Sequence, residues 1–283
     1  MSATVHRQLV RSQGLHWQYR QAGQERGGLP WVLLHPSPRS SAMYEPWMRE
    51  LGQHMPVLAI DLPGYGGSDP LSAPPTQMSD YAGPLHELLL QIAGPRCRVY
   101  GSATGAQLGI ALALAHPEQV AHLVIDNAAH FDDAEREAII EQYFPDQSPR
   151  ADGSHLLAAW RQSAQMQEFF PWFAADEAHR IAPAPPTAEA TQAALREMLA
   201  AGPGWSLAYR AAFEHERAEH VQALRVPTTL LRWEGSILLR HIDRLIAHPL
   251  PPSLKVLPIP APPAERLRAM SQHLIALHDS GTN

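Results

Sequence analysis

Cys97-Arg98-Val99-Tyr100-Gly101-Ser102-Ala103-Thr104-Gly105 runs directly into Ala106-Gln107-Leu108-Gly109-Ile110-Ala111-Leu112-Ala113-Leu114-Ala115, and the reading of this stretch decides the fold. The opening four residues suit a strand, whereas the last ten are apolar on every side, as in a helix buried all round. Nothing larger than threonine stands between them. A strand that reverses into a helix within five residues brings backbone against backbone, and only small side chains fit there. The stretch therefore reads as strand, sharp turn at Ala103, and a helix starting at Thr104. A Gly-x-x-x-Gly run between any strand and helix looks similar, so its meaning rests on the rest of the chain.

Outward from the turn, strands and helices alternate, the pattern of a mostly parallel sheet covered on both faces. Strands are expected near 6–11, 15–21, 31–34, 57–60, 97–100 and 122–125, with helices near 42–54, 81–92 and 104–115. From about His130 to His220 the alternation stops, and helices separated by Pro-rich breaks such as IAPAPPT take over. It resumes with VPTTLLR, a helix near 238–246, a strand at 254–257 and a last helix near 264–277. The expected organisation is one α/β core domain, residues 1–129 and 221–283, carrying a helical cap over 130–220.

With 283 residues, 45% of them hydrophobic and 18% charged, the chain is long enough for one well-buried core. Its net charge of -6 offers no basic footprint for nucleic acid or anionic lipid. The single cysteine, Cys97, excludes an internal disulfide and reads as a buried structural thiol. No apolar leader opens the chain, and the longest apolar run is far too short to span a bilayer. A cytoplasmic protein with a small-molecule ligand is expected, with no nucleic-acid or membrane partner; a homo-oligomer is left open.

Three further stretches fall in an order that, with the turn, resembles the α/β-hydrolase fold over nearly the whole chain. LLHPSPRSS ends a strand as that family's His-Gly oxyanion loop does, with Pro36 at the usual glycine. DLPGYGGSD closes the next strand, and VPTTLLRWEGS resembles the strand that normally delivers the catalytic acid. HPSPRS, Ala103-Thr104-Gly105, Asp152-Gly153-Ser154-His155 and FFPWF resemble, more narrowly, a bacterial subgroup with an HxTPRS-like oxyanion loop and a His-Thr-Gly elbow. The resemblance makes 101–105 a nucleophile elbow. Ordinary members need a nucleophile, a histidine base and a carboxylate that orients it. Here the nucleophile position is Ala103 and the usual acid position is Ser236, with Glu234 two residues early. The segment PIPAPPAER, where the histidine loop belongs, holds no histidine. His273 and His278 fall in or just after the last helix, where packing is the expected role.

What the resemblance leaves is an oxyanion hole made of backbone N–H groups, by analogy those of Thr104 and Ser37, beside Ser102. His35 and Arg39 share that loop: His35 is either catalytic or, as the favoured reading, a packing residue, and Arg39 either clamps a carboxylate or phosphate or makes a surface ion pair. Asp126 ends the sixth strand with His130 just beyond, so the two either form an acid–base pair or Asp126 caps the next helix. His155, Trp160, Phe170 and Trp172 of the cap are candidates to line a pocket, or to hold the cap in place. His215 and His220 stand five apart, which turns the second ~140° around a helix, so no zinc site is expected. Gly64-Tyr65-Gly66-Gly67 lacks a phosphate-loop lysine, and no cofactor is expected. The expected function is non-covalent chemistry on a small, apolar or aromatic carbonyl compound: hydrolysis, C–C cleavage, decarboxylation or cyclisation. The alternatives are a non-catalytic ligand-binding pseudo-hydrolase and a variant altered at position 103.

Overall fold

A computed structural model describes residues 2–281; the ends of the expected core domain, Met1 and residues 282–283, lie outside the described residues. Eight strands form one sheet: β1 (His6–Ser12), β2 (Leu15–Ala22), β3 (Trp31–Leu34), β4 (Val57–Ile60), β5 (Cys97–Ser102), β6 (Val120–Asp126), β7 (Thr228–Trp233) and β8 (Leu254–Ile259), in the order β1-β2-β4-β3-β5-β6-β7-β8. β2 is antiparallel to both its neighbours, and the remaining pairs are parallel. Every residue of β3, β4 and β5 is buried, as parallel strands covered on both faces require.

Alternate residues of these strands go to opposite faces. Val32, Leu34, Leu58, Ile60 and Val99 join one core with helices α2 (Ser79–Ile92) and α3 (Thr104–Ala115). Trp31, Leu33, Val57 and Ala59 join another with α1 (Glu45–Leu51) and α10 (Pro263–Ser280). The helix expected over 42–54 is a 3₁₀ turn, Ser41–Tyr44, followed by α1. Ser40 caps the turn, and Pro46, with no N–H to give, sits in the first turn of α1.

Between β6 and β7 lie the cap helices α4 (Asp133–Tyr143), α5 (Ser154–Glu168), α6 (Ala188–Ala200), α7 (Leu207–His215) and α8 (Ala218–Gln222), with α9 (Leu239–Ile246) following β7. The helical insertion thus runs two residues past the expected limit at His220. Tyr143 joins it to itself, its hydroxyl 2.9 Å from that of Tyr209 and its carbonyl accepting the Trp172 indole N–H at 3.0 Å.

The β5–α3 turn holds the whole arrangement in register. Ala103 has φ 48° and ψ -112°, a left-handed conformation costly for any residue with a Cβ. A side chain at Gly101 would strike the Gly105 carbonyl, and one at Gly105 would strike the Leu34 carbonyl of β3. These glycines are needed because α3 crosses β3 and β5 in backbone contact. Gly105→Ala should therefore lower the unfolding free energy by about 1–3 kcal/mol, an overpacking cost that chemical denaturation would measure. Gly27→Ala, with nothing within 4 Å of the added methyl, should move it by less than about 0.5 kcal/mol.

Candidate functional site

Over the turn, at the carboxyl edge of the parallel strands, lies a cavity of about 280 Å³. Its floor is Ser102, Ala103 and Thr104; its roof is Phe170, Tyr209 and Phe213 of the cap, with Glu216 at the junction of α7 and α8. Strand C-termini and helix N-termini converge here, so backbone N–H groups at the start of α3 face a common space. The Thr104 N–H has no acceptor among the described residues. The Ser37 N–H is directed at the Thr104 hydroxyl, 3.3 Å away, and the Ser37 hydroxyl donates to Tyr65 Oη at 3.1 Å.

The match to the family described as the alpha/beta hydrolase fold spans residues 30–233, almost three quarters of the chain. This protein belongs to the α/β-hydrolase family. Epoxide hydrolase 3 of Xenopus tropicalis is 29% identical over 126 residues, 43% of this chain and 33% of its own length. The pimeloyl-[acyl-carrier protein] methyl ester esterase of Nitrosospira multiformis is 33% identical over 97 residues, 33% of this chain and 36% of its own. The chain thus aligns with about a third of the length of these relatives. Epoxide hydrolase A of Mycobacterium thermoresistibile superposes with a TM-score of 0.71 at 20% identity, covering 96% of this chain and 98% of that one, a likeness of fold.

The Ala103 methyl group lies on the floor of this cavity, and the structure disperses several residues expected around it. His35 is fully buried and does not line the cavity. Its Nε2 accepts the Leu62 N–H at 3.0 Å and its Nδ1 donates to the Pro36 carbonyl at 3.0 Å, which fixes the neutral tautomer; burial pulls its pKa down to about 4. Asp126 and His130 do not pair. Asp126 Oδ2 accepts from the Tyr100 hydroxyl at 2.7 Å, the Ser102 hydroxyl at 3.3 Å and the Arg266 guanidinium at 2.5 Å. His130 Nδ1 instead accepts the Ala218 N–H at 3.1 Å, and its ring stands against His248. Asn127, at φ 53°, turns the chain between them.

Three residues, 260–262, join β8 to α10, so the segment where the family carries its histidine loop delivers Arg266 to Asp126. Arg266 also covers the Trp233 ring at 4.2 Å. Ser236 donates to Asn127 Oδ1 at 2.6 Å, and Glu234 is exposed. His273 bonds Thr229 Oγ1 at 3.1 Å from within α10. Among the cap candidates, Phe170 lines the cavity; His155 accepts the nearby Arg150 N–H, Trp160 lies outside the cavity wall, and Trp172 is spent on Tyr143. Arg39 is exposed on an adjoining lobe of about 340 Å³.

Glu216 is the residue sequence reading passed over. It sits four residues beyond Ala212 and three beyond Phe213, just past the end of α7 where its buried stripe would continue, and that spacing was its signal. The run containing it is not one helix: α7 ends at His215 and α8 starts at Ala218. His215 and His220 consequently stack, 3.8 Å between ring centres. Glu216 is 5% exposed, and among the described residues its carboxyl meets only the Gln107 amide, at a long 3.5 Å. His215 Nδ1 donates to Gln107 Oε1 at 2.9 Å, which turns the amide NH₂ toward Glu216. Burial drives the Glu216 pKa from the ordinary 4.5 up to about 8, against the opposing pull of Arg136.

At pH 7 this carboxyl therefore keeps its proton. Between about pH 4.5 and 8 the folded state holds a proton the unfolded chain has lost, so stability should fall as pH rises through that window. Urea unfolding at pH 5.5 and 8.5 measures the fall. It should be smaller in Glu216→Gln, whose amide cannot ionise.

Proposed function

We propose that this protein is an enzyme that acts without a covalent intermediate on a small, apolar or aromatic carbonyl compound, with Glu216 as its general acid. The observation that carries the reading is a carboxyl group buried in the wall of the same cavity as the Ala103 methyl and the N-terminus of α3. A carboxyl kept neutral by an apolar site is a proton donor poised for neutral pH. In this reading the substrate carbonyl lies against the Thr104 N–H, where the positive end of the helix favours developing negative charge. The Glu216 O–H then gives its proton to the oxygen or to the departing atom. Ala103 offers no atom for acylation, Asp126 is taken by Arg266, and the cavity wall holds no histidine, which supports a reaction independent of a Ser-His-Asp triad. Hydrolysis, C–C cleavage, decarboxylation and cyclisation all develop charge on such an oxygen. The buried Cys97 thiol, its pKa pushed up to about 12, fits placement in a reducing cytoplasm.

A panel of aryl esters, 1,3-diketones and β-keto acids tests the reading. Glu216→Gln should lower kcat on the turned-over substrate by roughly 10²–10⁴-fold, the usual range for a general acid. The wild-type rate should hold below about pH 8 and fall above it, because the acid form is lost there. Full activity in Glu216→Gln would sink the assignment.

The competing reading, a ligand-binding protein that performs no chemistry, draws on the elbow keeping its strained φ of 48° without a reactive atom. It predicts recovery of every bound compound unchanged. A variant altered at position 103 would instead gain esterase activity in Ala103→Ser. With Asp126 neutralised by Arg266, that substitution should leave ester cleavage at the background rate.

A further inference from the structure

The elbow cavity does not end at the cap aromatics. Pro36, Ser37, Phe170, Tyr209 and Ile237 are shared walls between it and the adjoining lobe of about 340 Å³, so the two spaces form one elongated site. Met166 and Met198 give the second lobe adaptable apolar sides.

Two polar groups of this lobe are unused. The Ser163 hydroxyl on α5 is 1% exposed and has no hydrogen-bond partner. A buried hydroxyl left without a partner costs free energy that an incoming acceptor would recover. The Arg39 guanidinium, from the loop after β3, has no carboxylate within ion-pair reach among the described residues and reaches the lobe from its exposed rim. Glu197 of α6 accepts from the hydroxyl of Ser40, next along the chain from Arg39, at 3.3 Å. An unsatisfied hydroxyl and an unpaired cation thus line one lobe, and a single anionic oxygen would serve both.

We propose that this lobe is an anion subsite: the substrate carries its reacting carbonyl over Ala103, an apolar body against Phe170 and Tyr209, and a carboxylate or phosphate held by Arg39 and Ser163. The proposal rests on the reading of the elbow cavity as the reaction site, which it extends by naming the substrate class. The planar guanidinium fork fits two oxygens of either anion, and the Ser163 O–H donates to one of them. With the anion fixed at one end, the position of the carbonyl depends on the length of the apolar chain between them. Chain length then becomes the quantity that selects substrates.

Calorimetry with ω-phenylalkanoates of three to eight carbons, their primary amides and the matching phenylalkyl phosphates tests this. The wild type should bind an acid roughly tenfold tighter than its amide, with an optimum in chain length, as one charge-assisted hydrogen bond implies. Whichever of the carboxylate and phosphate series binds tighter names the anion. Arg39→Gln should erase the preference for acid over amide, and Ser163→Ala should reduce it several-fold. Glu216→Gln should keep that preference while losing turnover, which separates failure of the subsite from failure of the acid assignment. Equal binding of acid and amide, no binding by any member of the series, or an undiminished preference in Arg39→Gln overturns the proposal.

Discussion

The close approach of α3 to β3 and β5 is the constraint from which the rest of the molecule follows. Gly101 and Gly105 leave no room between helix and strands, and the chain can enter α3 only through the left-handed turn at Ala103. That turn is tied across the sheet, since the Ala103 N–H donates to the Asp126 carbonyl at 2.9 Å. The carboxyl ends of β3, β5 and β6 are thereby gathered beneath one helix N-terminus. Strain of about 1–3 kcal/mol at such a residue persists only where the surroundings over-determine it. Here the surroundings are α3 itself, buried from Thr104 through Ala113.

Much of this was legible in the sequence because it rests on periodicity and residue size. The all-apolar helix 104–115 and the buried strands each leave a pattern in neighbouring residues, and the structure has them close to where expected. The site is another matter. Asp126 and His130 are near in sequence, yet the turn at Asn127 sends them to different partners, and Arg266, 140 residues away, reaches Asp126 instead. Tyr209 and Phe213 of α7, Phe170 and Trp233 meet at the cavity from three separate segments, and no spacing in the chain encodes that meeting of segments. Glu216 follows the last turn of α7 at the spacing that continues its buried stripe, but nothing in the sequence shows that the chain breaks there and turns this carboxyl into the cavity.

The two carboxyl groups nearest the elbow show how environment divides roles that chemistry alone leaves equal. Asp126 is 1% exposed and lies beneath a guanidinium, with two hydroxyl donors on the same oxygen. Glu216 is almost as deeply buried, but Arg136 spends its hydrogen bonds on the backbone carbonyls of Phe131 and Glu216 and on Asp133. The Glu216 carboxyl therefore has only an amide at 3.5 Å, and burial prevails over the charge nearby. A guanidinium that bonds only the backbone beside a buried carboxyl, as Arg136 does here, leaves the proton in place.

That difference bears on what the elbow is for once position 103 has no reactive atom. The strained turn still performs a structural task, which is to aim the first N–H groups of α3 into the cavity. This does not depend on the side chain at 103, because the donors are backbone. A methyl group there removes a hydroxyl that would compete for the same N–H groups and leaves an apolar floor opposite an uncharged acid. Low polarity on both sides strengthens any hydrogen bond made between them. The pieces that remain, backbone donors at one end and a neutral carboxyl at the other, are mutually consistent: neither places a full charge on the floor of the cavity at Ala103.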